Sequence, residues 1–177
     1  MTANGVDAMA AGTALTAQNT TGVKSIMEST PDFLKDQLDM IFTDIYPDAV
    51  KTGMVSSGSL IEVIAERLTF YKARNIVVDP VMVATSGAKL LRSDAIEVLK
   101  ERLLPLAEVL TPNIPEAEIL AGIKIESPAD MATAPRSSGG TSGCSDPCKA
   151  GHDQNEAHAL LWKDAAGGWR TVRITAT

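Results

Sequence analysis

The stretch NIVVD, at residues 75–79, decides the fold class of this chain. It is an almost fully apolar run that ends on an acid, and such runs are typical of strands that are covered on both faces of a parallel sheet. Two stretches of the same length and similar character stand before and after it along the chain, DAVKT at 48–52 and EVLTP at 108–112. We therefore predict that all three stretches are strands of one sheet.

Helix signals stand before the first of these strands and in the segments between them. Thr30 followed by Pro31 predicts a helix N-cap and first helical position, and apolar residues follow at helical spacing as far as Phe42. Ser59 and Glu62 have the spacing of a capping box, which predicts the start of a second helix. Each of these helices precedes one of the predicted strands.

Two further helices are predicted later in the regular part of the chain. One follows Ser93 and continues through Leu104, and the other begins at Pro115 and ends at Gly122. Strands and helices thus alternate, which favours a parallel sheet with right-handed crossovers and helices on both faces. The sequence predicts an α/β fold.

The two ends of the chain differ from this regular middle. Residues 6–17 are small and apolar, predict a strand, and lead into a polar turn at 18–22. Residues 135–148 are rich in Gly, Ser and Pro and predict a loop or linker. Beyond them, apolar stretches flank Gly167 and Gly168, which predicts a hairpin.

The composition restricts the class of function. The chain has 177 residues, about the size of one domain, with 45% hydrophobic and 21% charged residues. A net charge of −6 leaves no basic stripe for phosphate backbones, so we expect no nucleic-acid partner. The apolar runs are too short to cross a membrane, and the N-terminus lacks the pattern of a signal peptide. We therefore expect a soluble, cytoplasmic protein.

Polar residues at the carboxyl ends of the predicted strands are the candidate site, because ligands bind there in parallel α/β sheets. Asp79 ends a buried strand and could order a metal or a phosphate, although a turn before Pro80 explains it equally well. Asn113 and Glu116 could place a carboxylate beside a hydrated Mg²⁺ at a helix N-terminus. The simpler interpretation of this pair is a helix cap, which the spacing alone favours.

Gln18 and Lys149 are two further candidate binding residues, and each also has a simpler interpretation. The amide of Gln18 could recognise the edge of a heteroaromatic ring, because it both donates and accepts hydrogen bonds. Lys149, next to a glycine turn, could contact a phosphate. Taken alone, a polar turn and a solvated loop lysine explain these two residues.

Five strings of the sequence carry a family resemblance. They are TALTAQNTTGV (13–23), DAVKTGM (48–54), VVDPVMVATSGAKLL (77–91), LLPLAEVLTPNIPEAEIL (103–120) and CKAGH (148–152). Together, in this order and spacing, they resemble the hydroxymethylpyrimidine and phosphomethylpyrimidine kinases of thiamine biosynthesis, within the ribokinase-like superfamily. The resemblance implies a three-layer α/β/α fold with a mostly parallel central sheet. The resemblance also implies that residues 1–177 form one partial kinase domain. Residues 1–134 match the family well, 135–147 are irregular and 148–177 match loosely.

The resemblance implies a substrate site for the pyrimidine ring. Gln18 stands where the family recognises the edge of the ring. Met54 and Val81 stand where the family lines the ring pocket.

The resemblance also implies a nucleotide and metal site. Asp79 and Glu116 stand where the family arranges Mg²⁺, and Asn113 and Lys149 stand where it contacts ATP. The implied reaction transfers the γ-phosphoryl group of ATP to the pyrimidine hydroxymethyl group and then to its monophosphate. Such a transfer depends on positioning and on charge neutralisation.

The chain departs from the family pattern in three places. Family members begin with a strand and a glycine-rich segment, and they carry a late G-T-G-C element whose backbone amides form the anion hole. Neither stands in this sequence, so we expect a domain truncated at both ends, with no catalytic residue to assign, low thermal stability and little activity. Residues 135–147 have the family's length but not its composition, which suggests a locally shifted reading frame.

Two alternatives to an active pyrimidine kinase stay open at this point. The chain could be a non-catalytic remnant that binds the pyrimidine or a partner chain. It could also have a pyridoxal kinase activity, since related kinases accept pyridoxal and Gln18 is compatible with either ring. A homodimer is compatible with each of these readings.

Overall fold

The computed structural model describes residues 5–82, 93–122, 124, 157–163 and 169–174. The strands in this part of the chain are β1 (Ala14–Asn19), β2 (Gly22–Glu28), β3 (Val50–Thr52), β4 (Ile76–Val78), β5 (Val109–Leu110), β6 (Ala157–Lys163) and β7 (Trp169–Ile174). The helices are α1 (Pro31–Asp44), α2 (Gly58–Phe70), α3 (Ser93–Val98) and α4 (Ile114–Ala121). A π-helical turn (Leu99–Leu103) and a 3-10 turn (Leu104–Leu106) continue α3.

A parallel centre of three strands confirms the predicted sheet. β3 pairs with β4, and β4 pairs with β5, both in parallel. β6 pairs antiparallel with β5, and β7 pairs antiparallel with β6, so the strand order is β3-β4-β5-β6-β7. The pairing of β6 with β7 confirms the predicted hairpin near the C-terminal end. That this hairpin extends the central sheet was not predicted.

Two helix boundaries lie where the sequence predicts them. Thr30 is the N-cap of α1, and its hydroxyl accepts a hydrogen bond of 3.2 Å from the Phe33 amide. Gly122 ends α4 with a φ of +69°, in the left-handed region that glycine enters without a Cβ penalty. Among the described residues, no helix is long and apolar enough to span a membrane.

The predicted capping box of Ser59 and Glu62 is wrong. The N-cap of α2 is Ser57, which makes no side-chain cap hydrogen bond, and the helix begins at Gly58. A Cβ atom at Gly58 would lie 3.3 Å from a methyl carbon of Val98. The absence of a side chain at Gly58 therefore lets α2 begin in close contact with Val98, without a side-chain cap.

One apolar core lies between the helices and the parallel strands. Its largest members come from α1, α2, the π-helical turn, β4, β5 and the segment after β4. Each of the following side chains is only 1% exposed: Leu34, Leu60, Ile61, Leu68, Val78, Met82, Leu103 and Leu110. Burying a side chain of this size contributes roughly 1.5–3 kcal/mol, so this core is the main source of stability.

A polar contact joins α1 to α2 at the edge of this core. Arg67 and the Tyr71 hydroxyl both bond the same carboxylate oxygen of Asp39, at 3.3 and 2.9 Å. The Tyr71 ring stacks on Phe42 with 4.7 Å between the ring centroids. Burial of the phenol, together with its hydrogen bond to Asp39, raises the pKa of Tyr71 above its ordinary value.

The first two strands form a separate two-stranded sheet, which we call the arm (residues 14–28). Every residue of β2 is exposed, and all of β1 except its first residue is exposed. The predicted strand at 6–17 is therefore only partly correct, because β1 begins at Ala14 and continues through Asn19. β2 was not predicted, since its sequence, GVKSIME, has no regular alternation of apolar and polar residues.

The polar residues between β1 and β2 form the turn of the arm. The Asn19 side-chain oxygen accepts hydrogen bonds from the backbone amides of Thr21, at 2.9 Å, and Gly22, at 3.1 Å. This is an Asx turn, in which the side chain replaces a backbone acceptor. The polar turn predicted at 18–22 is thus confirmed only at Thr20 and Thr21, because Gln18 and Asn19 are the last residues of β1 and Gly22 begins β2. The irregular stretch predicted at 135–147 lies outside the described residues.

Candidate functional site

The carboxyl ends of β3, β4 and β5 meet at one edge of the sheet, which we call the carboxyl edge (residues 52–54, 79–82 and 111–116). The Asp79 amide donates to the Thr52 carbonyl at 3.0 Å, and the Thr111 amide donates to the Val78 carbonyl at 3.0 Å. These bonds continue the strand pairing beyond the strands themselves. The residues that follow each strand are therefore held side by side by the backbone.

Asp79 lies at the centre of the carboxyl edge, directly after β4. Its carboxylate accepts a hydrogen bond of 3.0 Å from the Lys51 ammonium group, and the two side chains are 17% and 52% exposed. The Asp79 carbonyl accepts a bond of 2.8 Å from the Val81 amide, which forms a tight turn around Pro80. The Lys51 pair places a positive charge beside the Asp79 carboxylate.

Asn113 and Glu116 form a complete capping box at the start of α4. The Asn113 side chain accepts from the Glu116 amide at 2.9 Å, and the Glu116 carboxylate accepts from the Asn113 amide at 2.8 Å. The simpler interpretation of this pair, a helix cap, is therefore confirmed. A cap does not exclude a second role, because each carboxylate oxygen retains acceptor capacity.

Glu116 makes a second contact that links α4 to the segment after β4. Its other carboxylate oxygen accepts a hydrogen bond of 3.2 Å from the Met82 amide, and the residue is only 3% exposed. A buried carboxylate with two backbone donors is well satisfied. Glu116 therefore joins the N-terminus of α4 to the short turn that carries Val81.

A small pocket lies at the carboxyl edge, on the side of α2. It is lined by Gly53, Asp79, Pro80 and Val81, with apolar side chains of α2 and the π-helical turn behind them. Met54 directly follows Gly53 and is half-buried. The structure thus places Val81 in the pocket wall and Met54 one residue from it. The enclosed space is about 10 Å³, which holds about one water molecule and not a pyrimidine ring, so the predicted ring pocket stays a prediction.

Gln18 lies apart from these residues, on the exposed arm. The connection between the two regions passes through Thr13, whose hydroxyl donates a hydrogen bond of 3.2 Å to the Met54 carbonyl. Thr13 directly precedes β1, which carries Gln18. The predicted position of Gln18 at a carboxyl end of the central sheet is wrong, because its strand belongs to the separate sheet of the arm.

The predicted residues therefore fall into three groups. Met54, Asp79, Val81, Asn113 and Glu116 lie along the carboxyl edge. Gln18 lies on the arm, and Lys149 lies outside the described residues.

The donor set at the carboxyl edge fits Mg²⁺ that keeps most of its own water. No group of three or more metal-ligating side chains was found among the residues that the structure describes. Mg²⁺ is commonly held by one or two carboxylates together with substrate phosphates, which is the number that Asp79 and Glu116 provide. Because Glu116 already accepts two backbone amides, a water-mediated contact suits it better than a direct bond.

Sequence reasoning missed several residues that shape this site. Lys51 stands within a string that carries the resemblance, and its place two residues before Gly53 could have drawn attention to it. Thr52 and Thr111 have buried hydroxyls without a hydrogen-bond partner among the described residues, one at each side of Asp79. Their burial follows from the strand pairing, and no sequence pattern signals it.

Comparisons with known proteins place this geometry in context. The family profile described as phosphomethylpyrimidine kinase matches residues 1–173. A thiamine biosynthesis bifunctional protein, ThiED, of Geobacter sulfurreducens is 56% identical over 124 residues, which are 70% of this chain and 25% of that protein. A hydroxymethylpyrimidine/phosphomethylpyrimidine kinase of Bacillus subtilis is 46% identical over 119 residues, which are 67% of this chain and 44% of that protein. The chain thus spans less than half the length of either relative.

Solved structures agree with the sequence comparisons. The phosphomethylpyrimidine kinase of Clostridium difficile has a TM-score of 0.81 and 40% identity, covering 96% of this chain and 73% of that one. The pyridoxal kinase of Staphylococcus aureus, in complex with AMP-PCP and pyridoxal, has a TM-score of 0.70 and 30% identity, covering 88% of this chain and 56% of that one. These neighbours confirm the predicted ribokinase-like α/β fold.

Proposed function

This chain belongs to the phosphomethylpyrimidine kinase family, and we propose that it serves the ATP-dependent phosphorylation of hydroxymethylpyrimidine and of its monophosphate. The observation that carries it is the carboxyl edge, where backbone bonds hold Asp79 beside the residues that follow β3 and β5. Ligands of parallel α/β sheets bind at this edge.

The proposed nucleotide end of the site is the start of α4. Asn113 and Glu116 fix the first turn of this helix, whose N-terminus carries a partial positive charge that favours phosphate oxygens. Mg²⁺, when bound near Asp79 and Glu116, would neutralise the negative charge of the phosphates. The Lys51 ammonium, 3.0 Å from the Asp79 carboxylate, adds a positive charge next to the same position.

The proposed pyrimidine end of the site lies between the carboxyl edge and the arm. Val81 lines the small pocket and Met54 adjoins it. The pocket itself holds only about one water molecule, so we expect the two side chains to supply apolar contact area to a ring that binds outside it. Gln18 would supply the hydrogen bonds that distinguish one ring edge from another. The Thr13–Met54 bond supports this arrangement, because it connects the start of the arm to the pocket.

Three further expectations complete the proposal. Lys149 is expected to contact the nucleotide phosphates, on the basis of the family resemblance alone. A homodimer is supported by the arm, where Leu15, Val23, Ile26 and Met27 are each more than half exposed. A cytoplasmic location is supported by composition.

Binding measurements test this proposal most sharply. Calorimetric titration of the purified chain with hydroxymethylpyrimidine, and separately with ADP and Mg²⁺, should show saturable binding of both. Val81→Asp should abolish pyrimidine binding, because it places a charge in the apolar wall of the pocket, while nucleotide binding persists. Phe33→Ser, on the exposed face of α1, is the control and should bind both ligands as the unmodified chain does. Absence of pyrimidine binding to a folded chain would contradict the proposal.

The same experiments separate the alternatives. Pyridoxal, titrated in parallel, should bind more weakly than hydroxymethylpyrimidine, and tighter pyridoxal binding would favour the pyridoxal kinase reading. A coupled assay for ADP release, with hydroxymethylpyrimidine as acceptor, then distinguishes an enzyme from a remnant. Binding of both ligands without turnover would support the non-catalytic alternative.

A further inference from the structure

The arm contacts the rest of the molecule mainly at its base, which consists of Gly12, Thr13 and Ser29. The Ser29 amide donates to the Thr13 carbonyl at 2.8 Å and closes the arm where its two strands meet the body of the protein. Beyond this point nearly all residues of β1 and β2 are exposed, and four of them are large apolar side chains. The orientation of the arm therefore depends on how its base is held.

The outgoing side of the base is held by the chain itself. Ser29 is followed by Thr30, the N-cap of α1, so β2 leads directly into that helix. α1 in turn is fixed by Leu34 and Leu38, both buried in the core. The incoming side is held differently, because Gly12 and Thr13 precede β1 and follow a segment without regular secondary structure, from which Ala11 packs against the core.

The Gln37 side chain attaches Gly12 to α1. Its carboxamide oxygen accepts from the Gly12 amide at 2.8 Å, and its nitrogen donates to the Gly12 carbonyl at 3.1 Å. The same nitrogen lies 3.4 Å from the Ser29 hydroxyl. One side chain on α1 thus pairs with both backbone groups of Gly12, as a neighbouring strand would, and also contacts the outgoing strand.

A second attachment ties the base to the ring pocket. The Thr13 hydroxyl donates to the Met54 carbonyl, and Met54 adjoins the pocket wall at the carboxyl edge. Gly12 and Thr13 are adjacent, so the contact with α1 and the contact with the pocket act on the same point of the chain. Together they fix the position from which β1 extends towards Gln18.

We propose that Gln37 and Thr13 are positioning residues that set the orientation of the arm and thereby of Gln18 relative to the ring pocket. This inference rests on the proposed function for the role of Gln18, but the attachment itself does not. Neither residue touches the substrate. Loss of either attachment leaves the core intact, because Gln37 and Thr13 lie outside the core cluster.

Amide hydrogen exchange tests the attachment without any ligand. Gln37→Leu keeps the size of the side chain, and leucine is also a good helix former. The substitution removes both hydrogen bonds with Gly12 and the contact with Ser29. We expect amide exchange across residues 13–29 to rise about tenfold. The lost hydrogen bonds stabilise the closed form of the arm, so without them the arm opens more often. Exchange in α2 and β4 should not change. Gln37→Glu keeps the acceptor for the Gly12 amide but loses the donor, and should give an intermediate increase.

Two matched controls separate the attachment from general effects. Asp36→Leu makes a similar change one position earlier on α1, at an exposed side chain, and should leave exchange in the arm unchanged. Thr13→Ser keeps the hydroxyl donor to Met54, whereas Thr13→Val removes it without a change of shape. Only the valine variant should accelerate exchange in the arm.

Calorimetric titration with hydroxymethylpyrimidine then tests the consequence for the site. Gln37→Leu and Thr13→Val should each weaken pyrimidine binding about fivefold, because binding must then also order the arm, which costs free energy. The affinity for ADP with Mg²⁺ should stay the same. Unchanged exchange in the arm of Gln37→Leu would overturn the proposal, as would an equal rise in α2. If the unmodified chain binds no pyrimidine, the proposed function fails, and the exchange result alone still decides whether Gln37 orients the arm.

Discussion

The carboxyl edge and the arm are built in opposite ways. Along the carboxyl edge, main-chain hydrogen bonds join neighbouring strand ends, and Glu116 adds a buried carboxylate that accepts two backbone amides. In the arm, the two strands pair with each other and with no other strand among the described residues, and nearly all of their residues are exposed. The edge is fixed by the core beneath it, and the arm is fixed by a few side-chain contacts at its base.

This difference suits the two tasks that the proposed reaction requires. Phosphoryl transfer depends on charges held in fixed positions, which a strand edge over a packed core provides. Recognition of a ring that must enter and leave is compatible with an arm of lower local stability, because binding segments commonly open more easily than the core. The predictions below test whether the two regions differ as this account requires.

The largest expected effect is the loss of core packing beneath the carboxyl edge. Leu60 is 1% exposed, and Leu60→Ala should lower the free energy of unfolding by about 2–5 kcal/mol, because it removes buried methyl groups and leaves a cavity. Leu15, on the arm, is 66% exposed, and Leu15→Ala should change the free energy of unfolding by about 0.5 kcal/mol or less. Urea denaturation measures both. Equal losses would show that the arm is part of the core.

The next effect concerns the buried carboxylate at the carboxyl edge. Glu116→Gln places an amide nitrogen against one of the two backbone donors, from Met82 or Asn113, and should cost about 1–3 kcal/mol of stability. Glu97→Gln, on the exposed face of α3, is the matched control and should cost little. A loss no larger than that of the control, in urea denaturation, would mean that Glu116 does not hold the segment after β4.

A smaller effect is expected from the ion pair of Lys51 with Asp79. The Lys51 side chain is half exposed, so Lys51→Met should change the free energy of unfolding by about 1 kcal/mol or less. Because solvent and salt screen such pairs, the difference between the two proteins should shrink further at high ionic strength. Thermal unfolding at low and high salt provides the measurement. A difference that grows with salt would contradict this assignment.

The smallest effect is expected at high pH. Folding raises the pKa of Tyr71 above its ordinary value of 10.0, through burial and the hydrogen bond to Asp39. The unfolded chain therefore loses this proton first. The stabilisation is fully present below pH 10 and is lost as the pH rises through the folded pKa. Tyr71→Phe should show a shallower decline in stability over this range. An identical decline in the two proteins would show that Tyr71 does not contribute.

The carboxyl edge could be predicted from the sequence to a large extent. Apolar runs that end on an acid identified β4, and the spacing of Asn113 and Glu116 identified the cap of α4. These signals are local, since each depends on neighbours within a few residues. The contact of Glu116 with Met82 could not be predicted, because it joins residues 34 positions apart and depends on how two loops approach each other.

The arm could be predicted only in part, for a related physical reason. A strand signal depends on alternation between a buried and an exposed face, and β2 has no buried face. The hydrogen bonds of Gln37 span 25 residues to Gly12, and no pattern of residue types marks them. The start of α2 could not be predicted from spacing either. The helix begins at Gly58, in close contact with Val98, and the capping box that the spacing suggested is not formed.

The most direct test of the difference between the two regions is amide hydrogen exchange of the unmodified chain, with and without hydroxymethylpyrimidine. Without ligand, residues 14–28 should exchange far faster than α2 and β4, whose amides lie over the core. With saturating ligand, protection should rise in residues 14–28 and at 79–82, while α1 and α2 stay as they were. An arm as protected as the core before ligand is added, or a ligand that protects the carboxyl edge but leaves the arm unchanged, would contradict the account.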